Sequence, residues 1–130
     1  EFVLVVVTNQ PDVRTGLTKL EAVEEMHRRL REWLPVDEIK VCYHVDADNC
    51  DCRKPKPGML LAAASGRGID LKTSWMVGDR WRDVETGKAV ECKTILVECD
   101  YAERKADAPD FIVKSLAEAA EIILKNPPSV

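Results

Sequence analysis

Six consecutive apolar residues, Phe2-Val-Leu-Val-Val-Val7, constrain this chain more than any other stretch. The run is rich in β-branched residues and has no polar alternation, so it reads as a strand buried on both faces, as in a parallel sheet. It is far too short to cross a membrane, which takes roughly 20 apolar residues. Parallel strands need long crossovers, usually helical, and the rest of the sequence supplies them. Thr8-Asn9-Gln10 ends the run and Pro11-Asp12 begins a loop. Thr18 with Glu21 has capping-box spacing, followed by Leu20, Val23, Met26, Leu30 and Trp33 at helical spacing up to Pro35. Strands are expected at 39–43, 74–77, 94–97 and 110–113, and helices at 58–64, 81–89 and from a Ser115 cap to about Leu124. Pro127-Pro128 marks a tail. The expected fold class is α/β, one parallel sheet with helices on both faces, over residues 1–130 as a single domain.

Composition removes several function classes. Lys and Arg number 19 against 23 Asp and Glu, a net charge of −4. A nonspecific nucleic-acid binder needs a basic face instead. Hydrophobic residues make up 45%, which excludes a disordered chain. The start has neither a basic region nor a cleavage site, so a cytoplasmic location is expected. Five cysteines, an odd number, do not suggest a disulfide framework.

Three of those cysteines fall within eleven positions. Cys42-x-His44, a five-residue gap and Cys50-x-Cys52 offer four soft or borderline ligands in the loop 42–52. Each x-spaced pair can point to one side of an extended chain. Three thiolates and an imidazole make a closed tetrahedral set, the donor set of structural zinc. Cys92 and Cys99 lie outside the cluster and read as buried, inert thiols.

A second constellation suits phosphate. Thr8-Asn9-Gln10 places a hydroxyl and backbone amides at a strand end, although Thr-Asn is also ordinary turn chemistry. Arg53-Lys54-Pro55-Lys56-Pro57-Gly58 sets two cations beside a helix start, an anion clamp. In Met76-Val77-Gly78-Asp79-Arg80-Trp81-Arg82-Asp83, a strand, a glycine turn and a carboxylate follow one another. Asp79 could hold a hard cation, and Asp83 could face the same place from the first helical turn. Helix capping by Asp79 and an ion pair at Asp83 are the structural alternatives. All three segments follow strand ends, where open α/β sheets place their sites.

A strand-end hydroxyl, then lysine, then Gly-Asp-x-x-x-Asp resembles the haloacid dehalogenase (HAD) superfamily of phosphatases. The cluster followed by Asp51-Cys52-Arg53-Lys54-Pro55-Lys56-Pro57-Gly58-Met59-Leu60 resembles one branch of it. That branch holds the D-glycero-D-manno-heptose 1,7-bisphosphate phosphatases and the histidinol-phosphate phosphatases. The short zinc-loop gap looks more like the latter, and Pro11-Asp12 stands where the heptose enzymes have Ser-Gly. The resemblance covers residues 2–113 and implies a small phosphorylated substrate such as a sugar phosphate, with magnesium. It implies that Thr8 binds the transferred phosphoryl group with Asn9 beside it. Arg53 and Lys54 would neutralise its oxygens, Asp79 would ligate magnesium, Arg80 would lie near metal and substrate, and Asp83 would support the site from behind.

The family's chemistry begins with Asp-x-Asp at the end of its first strand. One Asp attacks phosphorus and the other serves as general acid and base. No such motif precedes Thr8; Glu1 precedes the strand, and Asp46-Ala47-Asp48 has the spacing but lies in the zinc loop. The expectation is therefore a domain without its central first strand, nucleophile and specificity loop. Such a chain would be inactive alone, with two unpaired strand edges available for self-association. The rival expectation is a non-catalytic, zinc-stabilised binding module.

Overall fold

In the computed structural model, residues 2–100 and 103–127 are described; Glu1 and Pro128 lie outside them. The elements run β1 (Val5–Asn9), α1 (Pro11–Thr15), α2 (Leu20–Trp33), β2 (Glu38–Cys42), α3 (Gly58–Arg67), β3 (Trp75–Gly78), α4 (Trp81–Ala89), β4 (Lys93–Val97), β5 (Phe111–Val113) and α5 (Leu116–Lys125). Strands and helices alternate, and every strand pair is parallel.

As expected for a sheet without its central strand, the strands form two ladders: β1 pairs with β2, and β3-β4-β5 form a second group. β1 and β3 are thus edge strands that do not pair with each other. This explains why the apolar run is less buried than a central strand. Pairing starts only at Val5, and Phe2, Val3 and Leu4 are 56%, 50% and 42% exposed. β1 itself is half-buried throughout because a ladder partner covers only one of its edges.

Helices cover both faces of the second ladder. Gly87 of α4 lies against Met76 and Thr94, whereas Ile95, on the opposite face by strand alternation, packs with Val113 and Ala119 of α5. Trp75, Val77, Val97, Ile122 and Ile123 extend that cluster. Thr94 is fully buried and exchanges hydrogen bonds with Asp110, whose Oδ2 accepts from the Thr94 amide at 2.7 Å.

Local signals held at several ends. Ser115 Oγ accepts from the Glu118 amide and caps α5. α3 runs past Gly66 to Arg67 and stops at Gly68, whose φ of +64° a side chain would disfavour. Others were overridden. Pro11-Asp12 opens a short helix in place of a loop, with Pro at its first turn. α2 is capped by Lys19, not Thr18, and no side chain caps it. The Thr18 amide instead donates to Asp12 O at 3.0 Å, tying that residue to α1.

α2 buries Val23 and His27. Burial, with the charge of Arg31 second, holds the His27 pKa below the ordinary histidine value. A base with a depressed folded pKa is bound by more protons when unfolded, so its contribution is lost as pH falls below about 6.5. We expect His27→Gln to flatten the stability-versus-pH slope between about pH 5 and pH 7 in urea titrations; an unchanged slope would contradict this assignment.

Candidate active site and metal centre

The four side chains that could hold a metal converge. Cys42 ends β2, fully buried, and the chain then turns back through a 3₁₀ turn at Asp46–Asp48. That turn is closed by Asp48, whose Oδ2 accepts from the Val45 amide at 2.9 Å. The ligand atoms of Cys42, His44, Cys50 and Cys52 all lie within 4.8 Å of one another. A tetrahedral zinc site places sulfurs about 3.8 Å apart and sulfur and nitrogen about 3.6 Å apart. Here Cys42 and Cys50 are 3.7 Å apart, and His44 Nδ1 lies 3.5 Å from Cys42 Sγ and 3.3 Å from Cys52 Sγ. The Cys42 and Cys52 sulfurs approach to 2.7 Å. That pair is closer than two ligands of one tetrahedral ion sit, so holding zinc requires it to open by about 1 Å.

Burial alone would raise the Cys50 thiol, but the amides of Arg53 and Cys52 and the neighbouring thiols bring it down to about 7. Burial and then the adjoining thiols push Cys52 up to about 12. A divalent cation at the cluster would favour the Cys52 thiolate that burial and its neighbours disfavour. The donor set fits zinc and leaves no position open.

The cysteines outside the cluster differ. Cys92 is buried, which pushes its thiol up to about 11 and fits an inert role. Cys99 is exposed, correcting the expectation of burial: it lies beyond the end of β4.

A cavity of about 450 Å³ opens where β1, β3, α4 and the loop after the cluster meet. Its lining includes Thr8, Asn9, Arg53, Lys54, Asp79, Arg80 and Asp83, the whole phosphate constellation. Asp12 and Arg82 also line it, and sequence reasoning missed both. Arg82 lay inside the Gly-Asp motif, where alternate helical residues gave no reason to select it.

Lys54 is the link between the two ladders. Its Nζ donates to Val7 O of β1 at 3.3 Å and to Asp83 Oδ1 of α4 at 2.5 Å. Both side chains of the pair are largely buried, Asp83 at 7% and Lys54 at 13% exposure. Asp83 Oδ2 accepts from the amides of Asp79 and Arg80, each at 3.1 Å, so it organises the turn that presents Asp79. Both Asp83 oxygens are thus engaged, one by Lys54 and one by the turn. Gly78 makes room for it: a Cβ there would lie 2.3 Å from the Asp83 carboxylate.

Asn9 is also occupied in positioning. Its Oδ1 accepts from the Lys54 amide at 3.1 Å and its Nδ2 donates to Lys54 O at 3.3 Å, a reciprocal clasp across 45 residues. The Lys54–Pro55 bond within this clasp is cis. Thr8 Oγ1 accepts from Gln10 Nε2 at 3.0 Å. Arg53 Nε donates to Asp46 Oδ1 at 2.6 Å, tying the basic loop to the metal cluster, and Arg80 pairs with Glu103 at 3.0 Å. Asp46 and Asp48 are thereby both used in shaping the loop of the Cys/His cluster, and neither lines the cavity.

The donors suit magnesium as far as they go. Asp79 offers a hard carboxylate at the cavity wall, and magnesium is commonly held by one or two carboxylates, waters and substrate phosphate. Among the described residues, no helix is long and apolar enough to cross a membrane.

The HAD-hydrolase-like family pattern matches residues 51–119. The chain is 38% identical over 133 residues to the D-glycero-β-D-manno-heptose-1,7-bisphosphate 7-phosphatase of Pseudomonas aeruginosa, a match covering 95% of this chain and 75% of that protein. Its Escherichia coli K12 counterpart is 34% identical over 144 residues, covering 96% and 73%. The crystal structure of the D,D-heptose 1,7-bisphosphate phosphatase from B. bronchiseptica, complexed with magnesium and phosphate, superposes with a TM-score of 0.79 at 28% identity, over 95% of this chain and 74% of that one. With that identity and coverage, the chain belongs to the HAD-like hydrolases, in the family of the heptose bisphosphate phosphatases.

Proposed function

We propose that this chain carries the phosphate- and metal-binding part of a phosphomonoester hydrolase acting on a small sugar phosphate of the heptose bisphosphate kind. The observation that carries the reading is the gathering of Thr8, Lys54 and Asp79, from three separate segments, around one cavity. In this reading the Thr8 hydroxyl and the Lys54 ammonium hold the phosphoryl oxygens, with Arg53 adding charge at the rim. Asn9 and Asp83 fix Lys54 from its backbone and its tip. Asp79 and the adjoining Arg80 face the metal side. Magnesium, when bound, offsets the repulsion between an anionic nucleophile and the phosphate. Zinc at the four-ligand cluster is structural and stiffens the loop that delivers Arg53 and Lys54. The reading also puts the protein in the cytoplasm, where thiols stay reduced.

The missing element in this reading is the aspartyl nucleophile, since the sequence holds no Asp-x-Asp before Thr8. We expect the purified 130-residue chain to release no phosphate from heptose 1,7-bisphosphate or histidinol phosphate with magnesium. It should nonetheless bind inorganic phosphate, and Lys54→Met should remove that binding. Magnesium-dependent turnover by the chain alone, or phosphate affinity indifferent to Lys54, would overturn the reading. The open edges of β1 and β3 favour a second reading, a binding module that accepts a strand from another chain. Sedimentation velocity separates the two, because a strictly monomeric chain with phosphate affinity fits only the first.

A further inference from the structure

We propose that Arg82 forms a second anion subsite in the cavity, one that grips the distal phosphate of a substrate bearing two phosphate groups. The inference rests on the phosphatase reading above, because it presumes that the other phosphate sits at Thr8 and Lys54.

Three observations lead to it. First, the other cations of the cavity wall are committed to carboxylates: Lys54 to Asp83, Arg53 to Asp46 and Arg80 to Glu103. Arg82 also lines the cavity, yet its Nε is buried without a hydrogen-bond partner among the described residues. A buried N–H left unpaired is costly, and a charged one more so. Arg82 contributes to the field on the exposed Asp46 without bonding it. Second, its guanidinium stacks over the Trp81 ring, 4.5 Å from the centroid. That contact orients the planar fork, and among the described residues its edge donors make no hydrogen bond or ion pair, the arrangement suited to bidentate phosphate recognition. Third, Trp81 is itself held by Arg104, 4.2 Å from the centroid, and Arg104 pairs with Glu85 of the same helix. The platform beneath Arg82 is therefore anchored. The cavity, at about 450 Å³, is within the range of pockets that enclose a small ligand.

The test measures binding, so it does not depend on turnover. Inorganic phosphate, fructose 6-phosphate and fructose 1,6-bisphosphate are titrated calorimetrically into the wild-type chain and into Arg82→Gln and Arg82→Lys at one ionic strength. The wild-type chain is expected to prefer the bisphosphate to the monophosphate by about tenfold or more, as one charge-assisted contact implies. Arg82→Gln should lose that preference while keeping its affinity for phosphate and monophosphate within about twofold; Arg82→Lys should keep part of it. In the wild-type chain, the Arg82 Nε–H nuclear magnetic resonance should shift on adding bisphosphate but not phosphate. This readout needs no variant to fold. Equal affinities for the two sugars in the wild-type chain, or a uniform loss across all three probes in Arg82→Gln, would overturn the subsite while leaving the phosphatase reading intact. No binding of any probe would overturn both.

Discussion

Replacing Cys52 with serine is expected to remove stoichiometric zinc and to lower the melting temperature of the zinc-loaded chain by about 15 °C. The figure follows from linkage: zinc at about a thousandfold its dissociation constant stabilises the folded state by about 4 kcal/mol. In a domain of this size each kcal/mol is worth roughly 3–5 °C. The loss is large because the loop between β2 and α3 has little apolar content to hold it otherwise; of its four cluster ligands only Cys42 is fully buried. Elemental analysis should give one zinc per wild-type chain and less than about a tenth of that for the variant. Chelation of the wild-type chain should reproduce the loss of stability, and phosphate affinity should fall with it, because Arg53 and Lys54 directly follow the last ligand. Full thermal stability in Cys52→Ser would show that the cluster holds no structural metal.

Asp83→Ala should destabilise the chain by about 3–5 kcal/mol in urea unfolding. The substitution strands the buried Lys54 ammonium, which then faces Val7 O alone. It also frees the amides of Asp79 and Arg80 that Asp83 Oδ2 accepts from, so the turn presenting Asp79 loses its brace. The double variant Asp83→Ala with Lys54→Met should recover part of the loss, because removing both charges leaves neither one buried and unpaired. A single variant as stable as the wild type would mean that water already satisfies Lys54. A double variant no better than the single would place the cost in the turn and not in the ion pair.

The period of apolar residues and the turn chemistry were enough for most elements. Helix α4 and the Ser115 cap of α5 stand where local pattern put them, because i to i+3 and i+4 relations carry their own signal. The cluster was legible for a similar reason: its four ligands lie within one short segment, and their residue types suit few other purposes. What local pattern missed depends on distant partners. That Asn9 clasps the Lys54 backbone involves contacts across 45 residues, and no local rule distinguishes this from a substrate-facing amide. Arg82 looked like any exposed helical arginine until the cavity and the Trp81 ring were placed beside it.

By itself, then, the sequence determined the parallel α/β class, the Cys/His cluster and the set of residues gathered at the strand ends. Their types and spacings are consequences of backbone geometry and donor chemistry. The gap between β1 and β3 was also expected, but only the tertiary structure decided that Lys54 bridges it and that Asp83 holds both Lys54 and the Asp79 turn. Those outcomes depend on which backbone edges and charged groups meet once the chain has closed, and burial makes each such meeting strong enough to fix a side chain in one role.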